Sequence, residues 1–329
     1  MIDPIARVPL GRTKVRVSRL GFGSTGLGGL FRASSDADAK ATIDAAWDAG
    51  LRHYDTAPQY GSGLAETRVG AGLRARPRDE FVLSTKIGKL LRAVDRAPEG
   101  IFVGAPPFEI AYDYSYDGTL RSLEESLKRI GLDRVDVLLI HDVNRKYHGA
   151  RVMERLDEAL AGACKALGRL RDEGVIGAFG PALNEVDVNI EFVRRAPIDC
   201  IMLPARYTLL DQSAGKELLP LCAREKISVM IAAPFDSGIL ATGAVEGATY
   251  NYQPATPEIL DRVARIERIC REHAVPLAAA ALQFPLRHPA VANVVTGMRA
   301  PEEVAQNLTL MRTDICDALW IALARERLI

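Results

Sequence analysis

The sequence lacks the features that mark membrane, secreted or nucleic-acid-binding proteins. No apolar run approaches the length of a membrane span, and the first ten residues, MIDPIARVPL, contain no apolar signal-peptide core. Lys plus Arg equals Asp plus Glu, at 42 each, so net charge gives no general reason to bind nucleic acid or an anionic membrane. The five cysteines are scattered and form no CxxC pair. They indicate reduced thiols rather than a disulfide framework, and we expect a cytoplasmic protein whose partner is a small molecule. The oligomeric state stays open.

The 329 residues, 48% of them hydrophobic, alternate between strand-like and helical patterns without a linker or a low-complexity break. The predicted strands lie at 15–23, 51–55, 81–86, 135–141, 175–180, 198–204, 227–233 and 291–296. The predicted helices lie at 35–49, 64–73, 117–130, 152–173, 185–195, 213–225, 257–273, 276–287, 301–311 and 314–325. Repeated βα units at a spacing of roughly 30 residues imply a parallel sheet with right-handed crossovers. Eight of them favour an α/β fold, a (β/α)8 TIM barrel formed by 1–329 as one domain, with an N-terminal β-hairpin closing the bottom.

One glycine motif resembles a dinucleotide fingerprint but lacks its context. Gly21-Phe22-Gly23-Ser24-Thr25-Gly26 matches GxGxxG directly after a strand. A true fingerprint needs its third glycine to open a helix, whereas the predicted helix begins only near Ser35. We therefore interpret the motif as a loop at the mouth of the barrel.

Polar residues end three successive predicted strands, where a barrel carries its active site. These are Asp55, Lys86 and His141, with Tyr60 in the loop that follows Asp55. Taken singly, each has a structural explanation: a loop-capping carboxylate, a ring covering a strand end, a lysine reaching solvent or a buried histidine. Together they favour a functional site.

The chemistry of the four residues is complementary. A free phenol has a pKa near ~10, and a neighbouring ammonium stabilises the phenolate. We therefore expect Lys86 to lower the pKa of Tyr60, Asp55 to hold Lys86 charged, and His141 to orient a substrate oxygen. Such a site moves a proton on or off an alcohol or carbonyl oxygen. It contains no nucleophile, so hydride transfer to a bound nicotinamide would complete the reaction.

Over its full length the sequence resembles the aldo-keto reductase family. The motifs are LGFGS at 20–24, YDTAPQYGSG at 54–63, STKIG at 84–88, LLIHD at 138–142 and TGMRAPEEVAQNL at 296–308. The resemblance implies that Tyr60, Lys86, Asp55 and His141 form the catalytic tetrad. Within the family, residues 107–143 resemble the L-fucose (D-threo-aldose) 1-dehydrogenases, with bacterial pyridoxal 4-dehydrogenase as a close neighbour. This implies oxidation of an aldose to its lactone, or of pyridoxal, or a general aldehyde and ketone reduction.

The resemblance also implies a set of cofactor contacts for NAD or NADP. They are Gly23, Asn184, Tyr207, Pro234, Ser237, Gly238, Leu240, Gly297, Arg299, Glu303, Gln306 and Asn307. Asn184 would hold the carboxamide, Tyr207 would stack on the nicotinamide, and the backbone N–H groups of Ser237 and Gly238 would face the pyrophosphate. Arg299 could pair with a 2′-phosphate, but Glu303 would repel one, so we favour NAD.

Two other classes of protein remain open at this stage. The first is a metal-dependent barrel hydrolase that uses His53, Asp55 and His141, although no complete ligand set is visible and we expect no metal. The second is a non-enzymatic regulatory subunit that binds the cofactor. The loops at 88–116 and 241–256 are predicted to line the substrate pocket with the aromatic residues Phe102, Phe108, Tyr112, Tyr250 and Tyr252.

Overall fold

The computed structural model describes residues 1–329, with a closed barrel of eight strands at its centre. The strands are β1 (Arg7–Pro9), β2 (Arg16–Ser18), β3 (Leu20–Gly23), β4 (His53–Asp55), β5 (Val82–Ile87), β6 (Lys89–Ala93), β7 (Phe108–Tyr112), β8 (Val137–His141), β9 (Ala178–Ala182), β10 (Cys200–Pro204), β11 (Ser228–Ala232), β12 (Thr249–Tyr250), β13 (Gln253–Pro254) and β14 (Val291–Gly297). The α-helices are α1 (Asp36–Asp48), α2 (Leu64–Leu73), α3 (Tyr116–Ile130), α4 (Arg145–His148), α5 (Val152–Ala161), α6 (Ala163–Asp172), α7 (Val186–Arg195), α8 (Leu218–Glu225), α9 (Ile239–Thr242), α10 (Pro257–Glu272), α11 (Leu277–Gln283), α12 (Pro301–Arg312) and α13 (Asp317–Arg325). Short 3₁₀ turns lie at Thr25–Gly28, Arg78–Glu80, Gly149–Arg151, Ser213–Gly215, Asp236–Gly238 and Phe284–Arg287.

The barrel strands are parallel and follow the order β3-β4-β5-β8-β9-β10-β11-β14, with β14 pairing back to β3. The predicted (β/α)8 architecture is therefore confirmed. Two strands begin three or more residues later than predicted, and the other bounds differ less. Residues 16–18 pair with β1 in the hairpin, so the first barrel strand begins only at Leu20. β9 begins at Ala178 because the preceding residues form the turn that ends α6, where Val175 N–H donates to Leu170 O at 2.8 Å.

The N-terminal hairpin covers the bottom of the barrel, as predicted. Leu10 is fully buried in the barrel interior against Met230 and neighbouring strand residues. Gly11 N–H donates to Ser228 Oγ at 2.7 Å, at the first residue of β11. Gly11 has a φ of 60°, and a Cβ there would lie 2.3 Å from Asp199 O, so only glycine fits this turn.

Helix limits follow from local capping and from tertiary contacts. Ser35 and Asp38 form a capping box at the start of α1, where the prediction placed the cap. The predicted helix 152–173 is divided into α5 and α6 at Gly162. A Cβ at Gly162 would lie 2.7 Å from Tyr114 O, and Ala163 N–H donates to that same oxygen at 2.9 Å. The break therefore accommodates the segment that leads into α3.

Two small hairpins lie in the segments predicted as long loops. β6 pairs with β7 between the ends of β5 and α3, and β12 pairs with β13 between α9 and α10. An isolated bridge joins Leu30 to Phe102, which brings the loop after β3 against the connection between β6 and β7. These segments form the rim above the barrel. None of the helices combines the length and the apolar character that crossing a membrane requires.

Candidate active site

Asp55, Tyr60, Lys86 and His141 come together at the carboxyl end of the barrel. The strands β4, β5 and β8 are neighbours, so their last residues meet at one edge. Lys86 Nζ lies 2.7 Å from Asp55 Oδ2 and 4.8 Å from the centre of the Tyr60 ring. The rings of Tyr60 and His141 lie edge to face, with centroids 6.1 Å apart. The structure thus places the four residues in one cluster.

Lys86 and Asp55 form an ion pair that is shielded from solvent. Lys86 is 1% exposed and Asp55 3%, and Lys86 also donates to Thr56 O at 2.8 Å. Burial lowers the pKa of Lys86, but Asp55 and Tyr60 raise it by more, so its pKa lies above the ordinary value. Lys86 is therefore a cation at neutral pH.

The pKa of Tyr60 differs from the sequence prediction. Burial raises the pKa of its hydroxyl, and this effect outweighs the opposing charge of Lys86. The prediction that Lys86 lowers the pKa of Tyr60 below its ordinary value is therefore wrong for this structure. The sequence does not show how much solvent the Tyr60 hydroxyl loses, and this loss outweighs the charge of one nearby ammonium. The Tyr60 hydroxyl is protonated at neutral pH.

His141 is a buried, neutral imidazole. Burial lowers its pKa well below the ordinary value, and the ammonium groups of Lys89 and Lys86 add to this effect. Its Nε2 lies 3.5 Å from Asp142 Oδ2, whereas its Nδ1 is buried without a hydrogen-bond partner.

A chain of hydrogen bonds supports Asp55 from inside the barrel. Ser84 Oγ donates to Asp55 Oδ1 at 2.7 Å and lies 3.2 Å from His53 Nε2. The other ring nitrogen of His53, Nδ1, lies 2.7 Å from Asn293 Nδ2. Burial lowers the pKa of His53 to about 4, so the ring is neutral and links an amide donor to the Ser84 hydroxyl.

This arrangement does not favour the metal-dependent alternative. Both nitrogens of His53 face partners within the protein, and no group of three or more His, Cys, Asp or Glu side chains is placed to hold a metal ion. The sequence reasoning missed Ser84 and Asn293. The signal for Ser84 was its position two residues before Lys86, on the same face of β5.

The two predicted nicotinamide contacts, Asn184 and Tyr207, differ in how far the protein itself engages their side chains. Asn184 follows β9, is half-buried, and has no hydrogen bond from its side chain to the rest of the protein. Tyr207, in contrast, has its ring against Phe284 and His288, at centroid distances of 5.0 and 5.9 Å. Both partners precede β14. The ring thus packs on the segment before β14 and stays half-buried, and its stacking on the nicotinamide remains a prediction.

The predicted pyrophosphate loop, Pro234–Leu240, has an unusual backbone. Asp236, Ser237 and Gly238 have φ values of 45°, 61° and 103° in succession. Gly238 N–H donates to Phe235 O at 2.9 Å, so that one of the two expected donors is already engaged. Ser237 N–H has no backbone partner, whereas the Ser237 hydroxyl accepts from Tyr252 N–H at 3.0 Å.

The remaining predicted cofactor contacts lie on β3, at the end of β14, and just before and along α12. Gly23 and Gly297 are paired between β3 and β14. Arg299 N–H donates to Glu303 Oε2 at 2.9 Å, and its guanidinium Nε lies 3.7 Å from Oε1 of the same carboxylate. Further along α12, the side chain of Gln306 is exposed, and Asn307 Nδ2 donates to Thr296 Oγ1 at 3.3 Å.

Aromatic side chains from the rim hairpins flank the cluster. The ring of Phe102 lies 6.3 Å from that of Tyr60, and the ring of Tyr112 lies 5.7 Å from that of Tyr147. Tyr252 lies 6.1 Å from Phe31. A further charged pair, Lys89 and Asp142, was not predicted from the sequence; its lysine is buried against the ring of Tyr147.

Comparisons with known proteins agree with this geometry. The profile of the Aldo/keto reductase family matches residues 19–320. The chain is 44% identical to a D-threo-aldose 1-dehydrogenase of Pseudomonas sp. over 320 residues, 95% of each chain. It is 41% identical to a pyridoxal 4-dehydrogenase of Microbacterium luteolum over 338 residues, 97% of each chain. The holo form of an aldo-keto reductase from Bacillus halodurans superposes with a TM-score of 0.74 at 28% identity, covering 95% of this chain and 92% of that one.

Proposed function

The chain belongs to the aldo/keto reductase family of NAD(P)-dependent oxidoreductases, and from that premise we propose that it oxidises the anomeric hydroxyl of an aldose of the L-fucose (D-threo-aldose) type to a lactone. The observation that carries the proposal is the cluster of Tyr60, Lys86, Asp55 and His141 at the barrel mouth. A relative that is 44% identical over 95% of both chains and is named for this reaction supports the substrate class.

In this reaction the chain's own residues handle the substrate proton. The oxygen of Tyr60, once deprotonated, accepts the proton of the anomeric hydroxyl. Lys86 stabilises the phenolate by its charge, and Asp55 holds the Lys86 ammonium against the Tyr60 ring. His141 is neutral and donates a hydrogen bond to the same substrate oxygen, which fixes its direction. Because burial raises the pKa of Tyr60, oxidation should become faster as pH rises.

The residues present fit a nicotinamide dinucleotide. The Asn184 carboxamide has no partner in the protein, Ser237 N–H is free, and a Cβ placed on Gly238 or Gly297 would meet nothing within 4 Å. Asn184 would hold the carboxamide, and the loop of Ser237 would hold the pyrophosphate. When bound, an oxidised nicotinamide would accept the hydride that leaves the substrate carbon.

We favour NAD over NADP. Glu303 contacts Arg299 through both the backbone N–H and the guanidinium, so the cation that would bind a 2′-phosphate is already paired with a carboxylate. A carboxylate at this place accepts hydrogen bonds from a free ribose hydroxyl and repels a phosphate.

The test is the absorbance of reduced nicotinamide after mixing the protein with NAD⁺ or NADP⁺ and, separately, L-fucose, D-arabinose, L-galactose and pyridoxal. A rise with the sugars and none with pyridoxal is expected. A rise with pyridoxal alone would instead assign to this site the activity for which the 41% identical relative is named. No rise with any of the four would reject the proposed substrate class.

A further inference from the structure

A second charge pair, between the buried Lys89 and the half-buried Asp142, adjoins the tetrad and has no part in the chemistry described above. Lys89 is the first residue of β6 and is 1% exposed, and its Nζ lies 2.5 Å from Asp142 Oδ2. The same ammonium donates to Gln59 Oε1. Lys89 Nζ also lies over the ring of Tyr147, 4.3 Å from the ring centre. All the directions in which Lys89 can donate therefore have acceptors.

The two partners of Lys89 are the chain neighbours of two tetrad residues. Gln59 precedes Tyr60, and Asp142 follows His141. One buried ammonium thus connects the loop that carries the proton acceptor to the strand end that carries the imidazole. A single cation at this junction fixes the distance between the two groups that meet the substrate oxygen.

Asp142 is held in a conformation that non-glycine residues rarely adopt. Its φ is 54°, and its N–H donates to Ala182 O at 3.0 Å. Asn144 Nδ2 donates to Asp142 Oδ1 at 3.2 Å, while Lys89 takes Oδ2. Both carboxylate oxygens are therefore fixed by hydrogen bonds, on a turn with a left-handed backbone.

This carboxylate faces His141 at a distance that selects a tautomer. Asp142 Oδ2 lies 3.5 Å from His141 Nε2, and His141 Nδ1 has no partner. A neutral imidazole with its proton on Nε2 is attracted by the carboxylate and leaves only a lone pair unpaired at Nδ1. The other tautomer would bury an unpaired N–H and direct a lone pair at an anion, which is the costlier arrangement. At 3.5 Å the Nε2 proton is not captured by Asp142 and stays free for a substrate oxygen.

We propose that Lys89 and Asp142 are positioning residues for the reaction, which keep the proton of His141 on Nε2 and hold that nitrogen opposite the Tyr60 hydroxyl. The proposal rests on the proposed function for what the substrate is, but the state of His141 can be measured without a substrate. Lys89 has two effects. It neutralises the Asp142 carboxylate, so that the His141 imidazole does not form an ion pair with it. It also connects the segment that carries His141 to the loop that carries Tyr60.

The charged and titratable groups that face His141 are Lys86, Lys89, Asp142 and Tyr60. Without Lys89, the Asp142 carboxylate would stand beside the imidazole with no counter-ion. His141 would then bind a second proton more readily and would pair with Asp142 instead of the substrate. The loss of activity in a Lys89 variant should therefore be greatest at low pH and should recover as pH rises.

The experiment compares Lys89→Met with Lys89→Arg, which keeps the charge, and with Lys165→Met, an exposed lysine on α6 with no partner. One readout is the pH profile of kcat/KM for the aldose that the wild-type chain oxidises fastest. The other is the ¹⁵N NMR signature of His141 in histidine-labelled protein, assigned with a His141→Asn sample. For Lys89→Met we expect a fall in kcat/KM of about 10- to 100-fold at pH 7, recovering at higher pH, and a His141 that binds its second proton at a higher pH than in the wild type. Lys89→Arg should restore most of the activity, and Lys165→Met should match the wild type.

Three results would overturn the inference. These are a wild-type His141 with its proton on Nδ1, a Lys89→Met protein whose His141 signals are unchanged, and a loss of activity that is the same at all pH values. If Lys89→Met does not fold, the wild-type spectrum and an Asp142→Asn spectrum decide the point, since the latter should weaken the preference for Nε2. A wild-type chain that oxidises no aldose would reject the proposed function and would leave the spectroscopic test of His141 intact.

Discussion

Lys86 Nζ lies 2.7 Å from Asp55 Oδ2, in a place where neither side chain reaches more than a few per cent of its possible exposure. Taking two charges out of water costs several kcal/mol per ion, and their attraction repays this cost only when the geometry is good. Here Ser84 and the carbonyl of Thr56 supply further hydrogen bonds to the pair. A buried pair of this kind adds little net stability, and here it holds the Lys86 charge beside the Tyr60 ring.

Breaking the Lys86–Asp55 pair from one side should cost more stability than removing both charges. Lys86→Met leaves Asp55 buried without a cation, and we expect the free energy of unfolding to fall by about 3–5 kcal/mol. In the double variant Lys86→Met with Asp55→Asn, most of that loss should disappear because the amide can still accept from Ser84, whereas activity should remain absent. Urea unfolding of the three proteins measures this. Equal destabilisation in the single and double variants would contradict the interpretation.

Tyr60→Phe should separate chemistry from binding. The ring is retained and the proton acceptor is lost, so we expect kcat/KM for oxidation to fall by about 10²-fold or more. Cofactor affinity, measured by fluorescence titration, should stay unchanged. Because the pKa of Tyr60 is raised by burial, wild-type oxidation should also accelerate as pH increases above neutrality. Tyr116→Phe, a change at a half-buried tyrosine outside the cluster, is the matched control. Unimpaired turnover by Tyr60→Phe would exclude the proposed acid–base role.

The sequence was sufficient to predict the barrel and the four residues of the cluster. Strand ends in a parallel barrel meet at one edge, so Asp55, Lys86 and His141 could be assigned to the same place without coordinates. The pKa of Tyr60 could not be predicted in the same way, because its direction depends on how much solvent the rim hairpins exclude. The Lys89–Asp142 pair was also missed, because it depends on a turn at Asp142 with a φ of 54° that no local sequence pattern predicts.

Other differences arose where tertiary contacts override local pattern. The helical periodicity runs through Gly162, yet the helix breaks there because Tyr114 O approaches the backbone too closely for a continuous turn. The packing of the Tyr207 ring on Phe284 was likewise not predicted, while its assignment to the nicotinamide by resemblance stays a prediction. In both cases the contact joins residues far apart in the chain, which periodicity and spacing do not report.

Cofactor preference should respond to Glu303. In Glu303→Gln the amide can still accept from Arg299 N–H, but the negative charge that pairs with the guanidinium is gone. We expect kcat/KM with NADP⁺ to rise about five- to tenfold relative to NAD⁺, equivalent to about 1 kcal/mol. Glu302→Gln is the matched control, because Glu302 lies in the same first turn of α12 and is exposed. An equal change in the two variants would indicate a general effect of charge at the helix start.

Asp236 should make folding stability decrease as pH rises. It is 2% exposed, and Thr208 Oγ1 donates to its Oδ2 at 2.5 Å. Burial raises its pKa to about 7, with a smaller contribution from Asp211, and the Thr208 hydrogen bond and Arg206 only partly oppose this. An aspartate in the unfolded chain has a pKa of about 3.9. Between these values the folded state binds more protons than the unfolded state, so the free energy of unfolding falls as pH increases and levels off above pH 7.

The substitution Asp236→Asn removes this dependence, because an amide does not titrate and can still accept the hydrogen bond from Thr208. At pH 8 the variant should be more stable than the wild type by about 2–4 kcal/mol, and near pH 4 the two should be about equal. Urea unfolding at half-unit steps between these limits measures the difference. Asp261→Asn, at an exposed position on α10, should leave the wild-type curve unshifted at every pH. Parallel curves for wild type and Asp236→Asn would show that the carboxylate is already ionised throughout, and that the loop before Ser237 carries a negative charge beside the proposed pyrophosphate contact.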